Sequence, residues 1–132
     1  MTKQIIIPAG MEPYYEHYHF APAIKVGNTV WVSGQTGMKA NGDVPESLED
    51  QLHLAFQSLK YVLEAAGATL DDIVDLTTFH IDFPNGTEKI MEVKNEYLTK
   101  NYPAWTAVGV SSLAVPGLLV ELKVVAVIGA NK

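Results

Sequence analysis

Cysteine and arginine are both missing from this sequence of 132 residues. Without cysteine, disulfide bonds, thiolate nucleophiles and cysteine-ligated zinc are excluded. Without arginine, all nine basic residues are lysines, and the formal net charge is −6. Proteins that bind nucleic acids or anionic membranes concentrate basic residues, and arginine is the preferred side chain at phosphates and bases. We therefore predict neither a nucleic-acid partner nor a membrane partner.

Long apolar runs are missing as well. The most apolar region, residues 118–128, is interrupted by Glu121 and Lys123 and is too short to cross a bilayer. The first residues lead only into the short apolar run Ile5–Pro8, which has neither the length nor the small-residue cleavage site of a secretory signal. A cytoplasmic protein is the expectation.

Charged residues are sparse, at 18%, whereas 48% of the residues are hydrophobic. This balance is enough to bury a core, and the length fits one domain over residues 1–132. A typical globular domain has about 25% charged residues. Partner subunits that cover part of the surface would account for the deficit, and so would a well-filled monomer.

One amphipathic helix is indicated after Ser47. Ser47 is a suitable N-cap residue, and the acidic Glu49 and Asp50 follow in the first turn. Gly67 stands where a left-handed C-cap belongs. Between these ends the apolar residues recur at spacings of three and four, which is the period of a helix. They are Leu48, Leu52, Phe56, Leu59, Leu63 and Ala66.

The remaining pattern indicates strands and one further helix. Gly27-Asn28 separates two apolar runs and predicts a β-hairpin that ends at residues 33–35. Residues 11–19 show no period and are interpreted as a loop. A second helix is predicted after Thr87, its cap, with the apolar stripe Ile90, Val93 and Tyr97. The other predicted strands are residues 3–7, 73–83, 105–110 and 118–128.

The hydrophobic stripes of strands and helices must cover each other, so we predict an α+β fold with a mixed sheet and two helices on one face. In the last strand, Val120, Leu122 and Val124 would face the helices. Val125 and Val127 would leave the other face apolar as well. A sheet with two apolar faces and helices for only one favours association between subunits.

Several segments resemble the Rid (reactive intermediate deaminase) family in the same order along the chain. They are Lys25–Gln35 (KVGNTVWVSGQ), Leu63–Val74 (LEAAGATLDDIV), Tyr102–Val108 (YPAWTAV) and Val120–Ala126 (VELKVVA). The resemblance implies a chorismate-mutase-like fold, a homotrimer with clefts between subunits, and no metal or other cofactor. Known members hydrolyse imines and enamines with release of ammonia. Some carry an older label, endoribonuclease L-PSP or translation inhibitor.

One residue departs from the family pattern. The deaminases of the family have an arginine at the position of Trp105, where it holds the substrate carboxylate in a bidentate pair that tryptophan cannot make. A neighbouring copy cannot supply the arginine, because the chain has none. The chain therefore resembles an arginine-lacking, YjgH-type branch, whose loop is similar to Tyr14–His17. We expect a poor deaminase of 2-iminobutanoate.

Glu121 matches the family glutamate that positions or activates water, and it is the predicted catalytic residue. A carboxylate on an apolar strand should have a raised pKa and exchange protons near neutral pH. The alternative is an ion pair with Lys123, on the same strand face and about 7 Å away. Trp105 would form an apolar wall for the substrate, or it would pack in a subunit interface.

Further substrate-binding residues are predicted from the same resemblance. Ser33 and Gly34 end a strand at the family's cleft, where glycine permits a close backbone approach; an ordinary strand end is the alternative. Tyr14 and Tyr15 lie near the family's cleft-lining aromatic residue, a role for which Phe20 competes.

Thr106, His80 and Asn95 complete the predicted set. Thr106 follows Trp105 in the matched segment, and Asn95 is a candidate for the family's helix asparagine. His80 would bind substrate or act as a base. The alternative for His80 is a structural histidine that is hydrogen-bonded beside Thr78 and Asp82.

His17 and His19 raise the question of a metal site, because a His-x-His pair binds zinc where a third ligand converges. No third ligand is identified, so no metal is predicted. Three functions remain open: an enzyme acting on a small imine or enamine, a non-catalytic small-molecule-binding trimer, and the ribonuclease of the older label. The net charge of −6 and the missing arginine count against the third.

Overall fold

The computed structural model describes residues 2–130 and contains one six-stranded sheet. In chain order the strands are β1 (Gln4–Ile6), β2 (Ala23–Val26), β3 (Thr29–Thr36), β4 (Ile73–Ile81), β5 (Ala104–Val110) and β6 (Val120–Val127). The helices are α1 (Glu12–Glu16), α2 (Leu48–Ala65) and α3 (Thr87–Tyr97), and a 3₁₀-helix spans Leu70–Asp72. None of these helices, within residues 2–130, is long and apolar enough to cross a membrane.

The strands lie side by side in the order β1-β2-β3-β6-β4-β5. Neighbours are antiparallel except for β4 and β5, which are parallel and are connected through α3. The last strand, β6, therefore lies in the middle of the sheet between β3 and β4. The predicted α+β architecture, a mixed sheet with few helices, is confirmed.

The long helix α2 is the main cover of the sheet. Ser47 Oγ accepts a hydrogen bond from the Asp50 backbone N–H at 3.0 Å, as predicted for an N-cap. Gly67 follows the helix with φ +85°, a left-handed conformation that glycine adopts without strain. The fully or almost fully buried apolar residues of α2 are Leu52, Ala55, Phe56, Leu59, Val62 and Leu63.

The second helix, α3, packs beside α2. Its residues Ile90 and Val93 are buried, and Tyr97 stacks on Phe56 with the ring centroids 4.9 Å apart. The predicted cap was wrong, because Gly86 is the N-cap residue and Thr87 is the first residue of the helix. Gly86 has φ +82°, which glycine adopts far more readily than threonine.

The loop predicted for residues 11–19 was also partly wrong, since it contains the short helix α1. Pro13 stands in the first turn of α1, where its missing N–H leaves no helical hydrogen bond unmade. The five residues of α1 are too few to show a hydrophobic period, which is why the pattern missed them.

The strand predicted to end at residues 33–35 continues to Thr36 as part of β3. Its register with β6 shifts between Val32 and Gln35, so the backbone bulges there and then resumes pairing. In the sequence, a serine followed by a glycine is typical of a strand end. In the structure, the pairing of β3 with β6 continues on both sides of these two residues.

The two faces of the sheet differ in cover. On the helix side, Val120, Leu122, Val124 and Ala126 of β6 are buried, as predicted. On the other side, the register aligns Ile5, Ile24, Trp31 and Val125 in one row across four strands. Trp31 is 42% exposed and Ile5 is 41% exposed. We call this second side the open face, and it carries this apolar row, in which Val125 stands as the sequence predicted.

Candidate functional site

A cleft of about 450 Å³ opens where β3 ends and β6 begins. Its wall includes α1 with the loop that follows, the end of β3, and the segment before β6. The volume suits a small metabolite, and most of the lining is apolar or aromatic. The lining residues are Met11, Tyr14, Tyr18, Phe20, Pro22, Gly34, Gln35, Thr36, Met38, Ser58, Ala114, Val115, Leu118 and Glu121.

Glu121 is the one charged side chain among these lining residues. Strand alternation directs it away from the buried Val120 and Leu122, and it is itself partly buried. Removal from water raises the pKa of its carboxyl group above the ordinary value of 4.5. Within residues 2–130 it makes no ion pair within 4.0 Å, so the alternative pairing with Lys123 is not formed.

Gly34 creates the space that the Glu121 side chain occupies. A Cβ atom at position 34 would lie only 2.5 Å from Cδ and Oε2 of Glu121. The bulge in β3 brings the glycine to this point, because Glu121 pairs in register with Thr36 beyond the bulge. The structure therefore brings Gly34 and Glu121 together, and any larger residue at 34 would displace the carboxylate.

Aromatic rings from the α1 region form another part of the wall. Tyr14 lies in the middle of this cluster, with ring centroids 5.4 Å from Phe20 and 6.4 Å from Tyr18. Tyr18 is 72% exposed and Phe20 is 43% exposed. Of the two tyrosines predicted for this role, Tyr14 lines the cleft, whereas Tyr15 lines a separate groove on the other side of the α1 loop.

Two polar side chains at the cleft, Ser58 and Gln35, are hydrogen-bonded to each other. Ser58 of α2 donates a hydrogen bond to Gln35 Oε1 at 2.5 Å, and Gln35 Nε2 donates to the Ser33 carbonyl at 3.1 Å. The hydroxyl of Ser33 donates to the Ala21 carbonyl at 2.6 Å. Ser33 therefore fixes the backbone beside Phe20 rather than lining the cleft itself.

Trp105 lies on the opposite face of the sheet from Glu121. It pairs in register with the buried Leu76, whereas Glu121 pairs with Phe79 at the alternate position. Its indole N–H donates to Thr78 Oγ1 at 2.9 Å, and Lys94 Nζ lies 4.8 Å from the ring centroid. One chain therefore does not bring Trp105 and Glu121 together, and Lys94 is the cation beside the tryptophan.

His80 is 1% exposed and lies in the core of the sheet-helix interface, outside the cleft. Its Nε2 is 2.6 Å from Thr78 Oγ1, and its ring stacks on Phe83 at 5.2 Å. Its Nδ1 has no hydrogen-bond partner within residues 2–130. Burial lowers the pKa of His80 below the ordinary value of 6.5, so the neutral form is favoured.

The two remaining predicted residues are exposed and lie elsewhere. Thr106 is on the edge strand β5, and Asn95 is near the end of α3. Asn95 Oδ1 accepts a hydrogen bond from Lys94 Nζ at 3.1 Å, beside a groove that Tyr102 also lines. Among the described residues no group of three metal-ligating side chains is present, His17 and His19 included.

Several cleft residues were not predicted from sequence. Tyr18, Met11 and Met38 carry no motif, and Leu118 falls just before a strand. Ser58 lies on α2 between helix positions that the apolar stripe defines, so only the fold reveals its contact with Gln35. Gln35 itself directly follows the matched Ser-Gly pair, a signal that would have justified including it.

Comparison with known proteins gives a consistent result. The family model described as Endoribonuclease L-PSP matches residues 12–128. The chain is 44% identical over 127 residues to the RutC family protein YjgH of Escherichia coli (strain K12), covering 96% of this chain and 95% of that protein. A solved structure of protein YJGH has a TM-score of 0.86 at 43% identity, covering 97% of this chain and 98% of the other.

A relative named for an activity matches over a shorter span. The chain is 38% identical over 96 residues to a 2-iminobutanoate/2-iminopropanoate deaminase of Dermatophagoides farinae. The match covers 71% of this chain and 74% of that protein.

Proposed function

The chain belongs to the endoribonuclease L-PSP (Rid) family, and from this we propose that it binds and hydrolyses a small imine or enamine in the cleft beside Glu121. The observation that carries the proposal is a partly buried carboxylate, without a cationic partner among residues 2–130, at a mostly apolar cleft. The name of the relative from Dermatophagoides farinae, a 2-iminobutanoate/2-iminopropanoate deaminase, supports imine hydrolysis as the class of reaction.

The proposed reaction uses Glu121 as the group that moves protons. Glu121 in its ionised form accepts a proton from a water molecule while the water oxygen attacks the carbon of the protonated imine. The C=N double bond becomes a single bond, and a neutral carbinolamine forms. The protonated Glu121 then gives its proton to the nitrogen. As the C–N bond breaks, the ionised Glu121 accepts the hydroxyl proton, so that the carbonyl product forms and ammonia leaves, and Glu121 finally releases that proton to the departing ammonia or to water. A raised carboxyl pKa suits the first step, because it makes the Glu121 carboxylate a better proton acceptor than a solvated glutamate.

A homotrimer is part of the proposal. The open face carries an apolar row in which Trp31 is 42% exposed and Ile5 is 41% exposed. Glu121 pairs in register with Phe79, which pairs with the 36% exposed Val108 on the same face. Association through this face would place the cleft at a subunit boundary. Trp105 lies on the helix side of the edge strand β5, so in a neighbouring copy it would reach the cleft around that edge and complete the wall.

The substrate we propose is less acidic and more apolar than 2-iminobutanoate. Trp105 offers an aromatic surface and one N–H, and that N–H is already bound to Thr78. Lys94 supplies one charge near the ring but lacks the planar fork of a guanidinium. A cleft lined mainly by methionine, tyrosine, phenylalanine and aliphatic side chains accepts an apolar substituent readily.

A non-catalytic binder is the second candidate. The loss of the arginine removes the group that fixes the substrate in the deaminases, and the same cleft would then hold a ligand without turnover. A ribonuclease is disfavoured, because no lysine or histidine is among the residues that line the cleft and phosphates would meet a carboxylate there.

The test is ammonia release from an imine generated in situ. An amine oxidase acting on 2-aminobutane supplies butan-2-imine, and the chain should accelerate its hydrolysis over buffer, whereas E121Q should not. Acceleration that persists in E121Q would point to contamination and remove the assignment. Binding without any acceleration by the wild type would establish the non-catalytic alternative.

A further inference from the structure

The cleft beside Glu121 has an unusual charge pattern for a metabolite site in a family whose deaminase substrates carry a carboxylate. Of the fourteen lining residues, Glu121 alone is charged at neutral pH. No lysine or histidine is among them. A carboxylate ligand placed here would face a like charge, and the nearest compensation would have to come from outside the lining.

Aromatic rings provide the second part of the pattern. Tyr14, Tyr18 and Phe20 form a connected cluster at one wall, and two of the three rings are well exposed. Exposed aromatic faces next to a carboxylate attract organic cations, because the ring face carries negative charge density and the carboxylate neutralises the ligand. Uncharged apolar ligands would gain only the contact with the rings.

The environment of Glu121 is the third part. Its carboxylate has lost part of its hydration without gaining a cationic partner within residues 2–130. The pKa of the group is raised for this reason, which means that burial destabilises the ionised form. A bound cation would remove that penalty, so the site is more favourable to positive charge than a solvated surface carboxylate.

We infer that the cleft selects a small organic cation, a protonated imine or amine with an apolar substituent and without a carboxylate, through Glu121 and the Tyr14-Tyr18-Phe20 rings. This inference rests on the proposed function for the location of the site and deepens it by naming the charge of the ligand. The protonated imine is also the more electrophilic form, so selection of charge and reaction with water act on the same species.

The inference is tested with ligands that cannot be hydrolysed. Cyclohexylammonium and cyclohexanecarboxylate have similar shapes and opposite charges, and their binding to the full chain is measured by isothermal titration calorimetry at pH 7.5. We expect the ammonium ion to bind at least tenfold more tightly. Equal binding, tighter binding of the carboxylate, or no detectable binding of the ammonium ion at millimolar concentration would each overturn the inference.

Two variants locate the effect, and each has a control. E121Q keeps the shape of the side chain and should weaken ammonium binding at least tenfold, whereas E64Q removes the same charge from an exposed position of α2 and should not. Y18L keeps an apolar residue but removes a ring and should weaken ammonium binding twofold to fivefold. Thermal unfolding of each variant establishes that it is folded. If E121Q and E64Q had the same effect, only the overall charge of the protein would be involved.

The outcome for charge and the outcome for catalysis are distinguishable. Ammonium binding that depends on Glu121, without hydrolysis of butan-2-imine, would leave the cation site and remove the enzyme. Hydrolysis without a preference between the two cyclohexyl ligands would leave the enzyme and remove the cation site. If the carboxylate bound more tightly, K94M would test whether Lys94 beside Trp105 supplies the charge.

Discussion

Glu121 and His80 lie within one residue of each other in the sheet register but on opposite faces of the sheet. His80 pairs with Val120 towards the helices, and Glu121 pairs with Phe79 towards the open face. Burial shifts the pKa of both groups towards the neutral form, upward for the glutamate and downward for the histidine. Burial therefore shifts the pKa of one group that lies at a ligand-sized cleft and of another that lies in the core.

The surroundings decide which of the two shifts has a functional meaning. His80 is 1% exposed, stacks on Phe83 and is hydrogen-bonded to Thr78, and it does not line the cleft beside Glu121. Glu121 meets the cleft directly, and Gly34 keeps the space for its side chain. A shifted pKa marks a candidate active site only where a ligand can reach the group.

The replacement of the family arginine by Trp105 should have a large effect on which imine is hydrolysed beside Glu121. A hydrogen-bonded charge pair is worth about 1.5–3 kcal/mol, so hydrolysis of 2-iminobutanoate should be about tenfold to 150-fold slower than in an arginine-containing relative. W105R should recover part of this activity, whereas W105F, which replaces the indole by a smaller uncharged ring without an N–H, should not. The measurement is a coupled assay with 2-iminobutanoate generated in situ. Wild-type activity equal to that of the relative would contradict the account.

G34A tests whether the position of Glu121 matters. The new Cβ would overlap the end of the Glu121 side chain, which can move, so the melting temperature should change little while imine hydrolysis falls about tenfold. In the E121Q background the same substitution should cost much less, because the group that it displaces is already inactive. Equal losses in both backgrounds would show that Gly34 acts independently of Glu121.

Acidification should affect stability through His80. Its folded pKa is below the ordinary value of 6.5, so the unfolded chain binds the proton more readily. The associated stability is present above pH 6.5 and is lost as the pH falls below it towards the folded pKa. H80Q removes the titration while keeping a polar group near Thr78. Urea unfolding at the two pH values should show a flatter dependence in H80Q than in the wild type.

Glu121 should show the smaller, opposite effect. Its folded pKa is above 4.5, so the folded chain favours the protonated form and bears a cost as the pH rises through the folded pKa. E121Q should therefore unfold at a slightly higher urea concentration at pH 7.5, and the increase should be small because water screens a partly exposed carboxylate. The difference should vanish at pH 3.5. A destabilised E121Q at pH 7.5 would indicate that the carboxylate has a stabilising partner.

The sequence predicted much of the fold because its main elements are locally determined. The α2 stripe, the Gly27-Asn28 hairpin and the alternation of β6 each depend on spacing within one segment, and all three are present. The helix α1 and the cap of α3 were missed. Five residues show no period, and a left-handed glycine N-cap has no side-chain signal.

The site was less predictable because it depends on contacts between distant segments. Residue matching placed Glu121, Gly34 and Tyr14 at one cleft, and the structure brings these three together. It does not bring Trp105, Thr106, His80 or Asn95 to that cleft within one chain. Trp105 lies on the helix side of the sheet, and Glu121 lies on the open face. This separation follows from the register of β5 and of β6 against β4, which no local sequence pattern encodes.

The most direct test compares E121Q and H80Q on the same imine at pH 7.5, with ammonia release from butan-2-imine as the measurement. The account predicts that E121Q loses about two to four orders of magnitude in rate, the usual contribution of a general acid-base group. It predicts that H80Q stays within about threefold of the wild type when both are folded, because His80 does not line the cleft. Equal losses in the two variants, or a fully active E121Q, would contradict it.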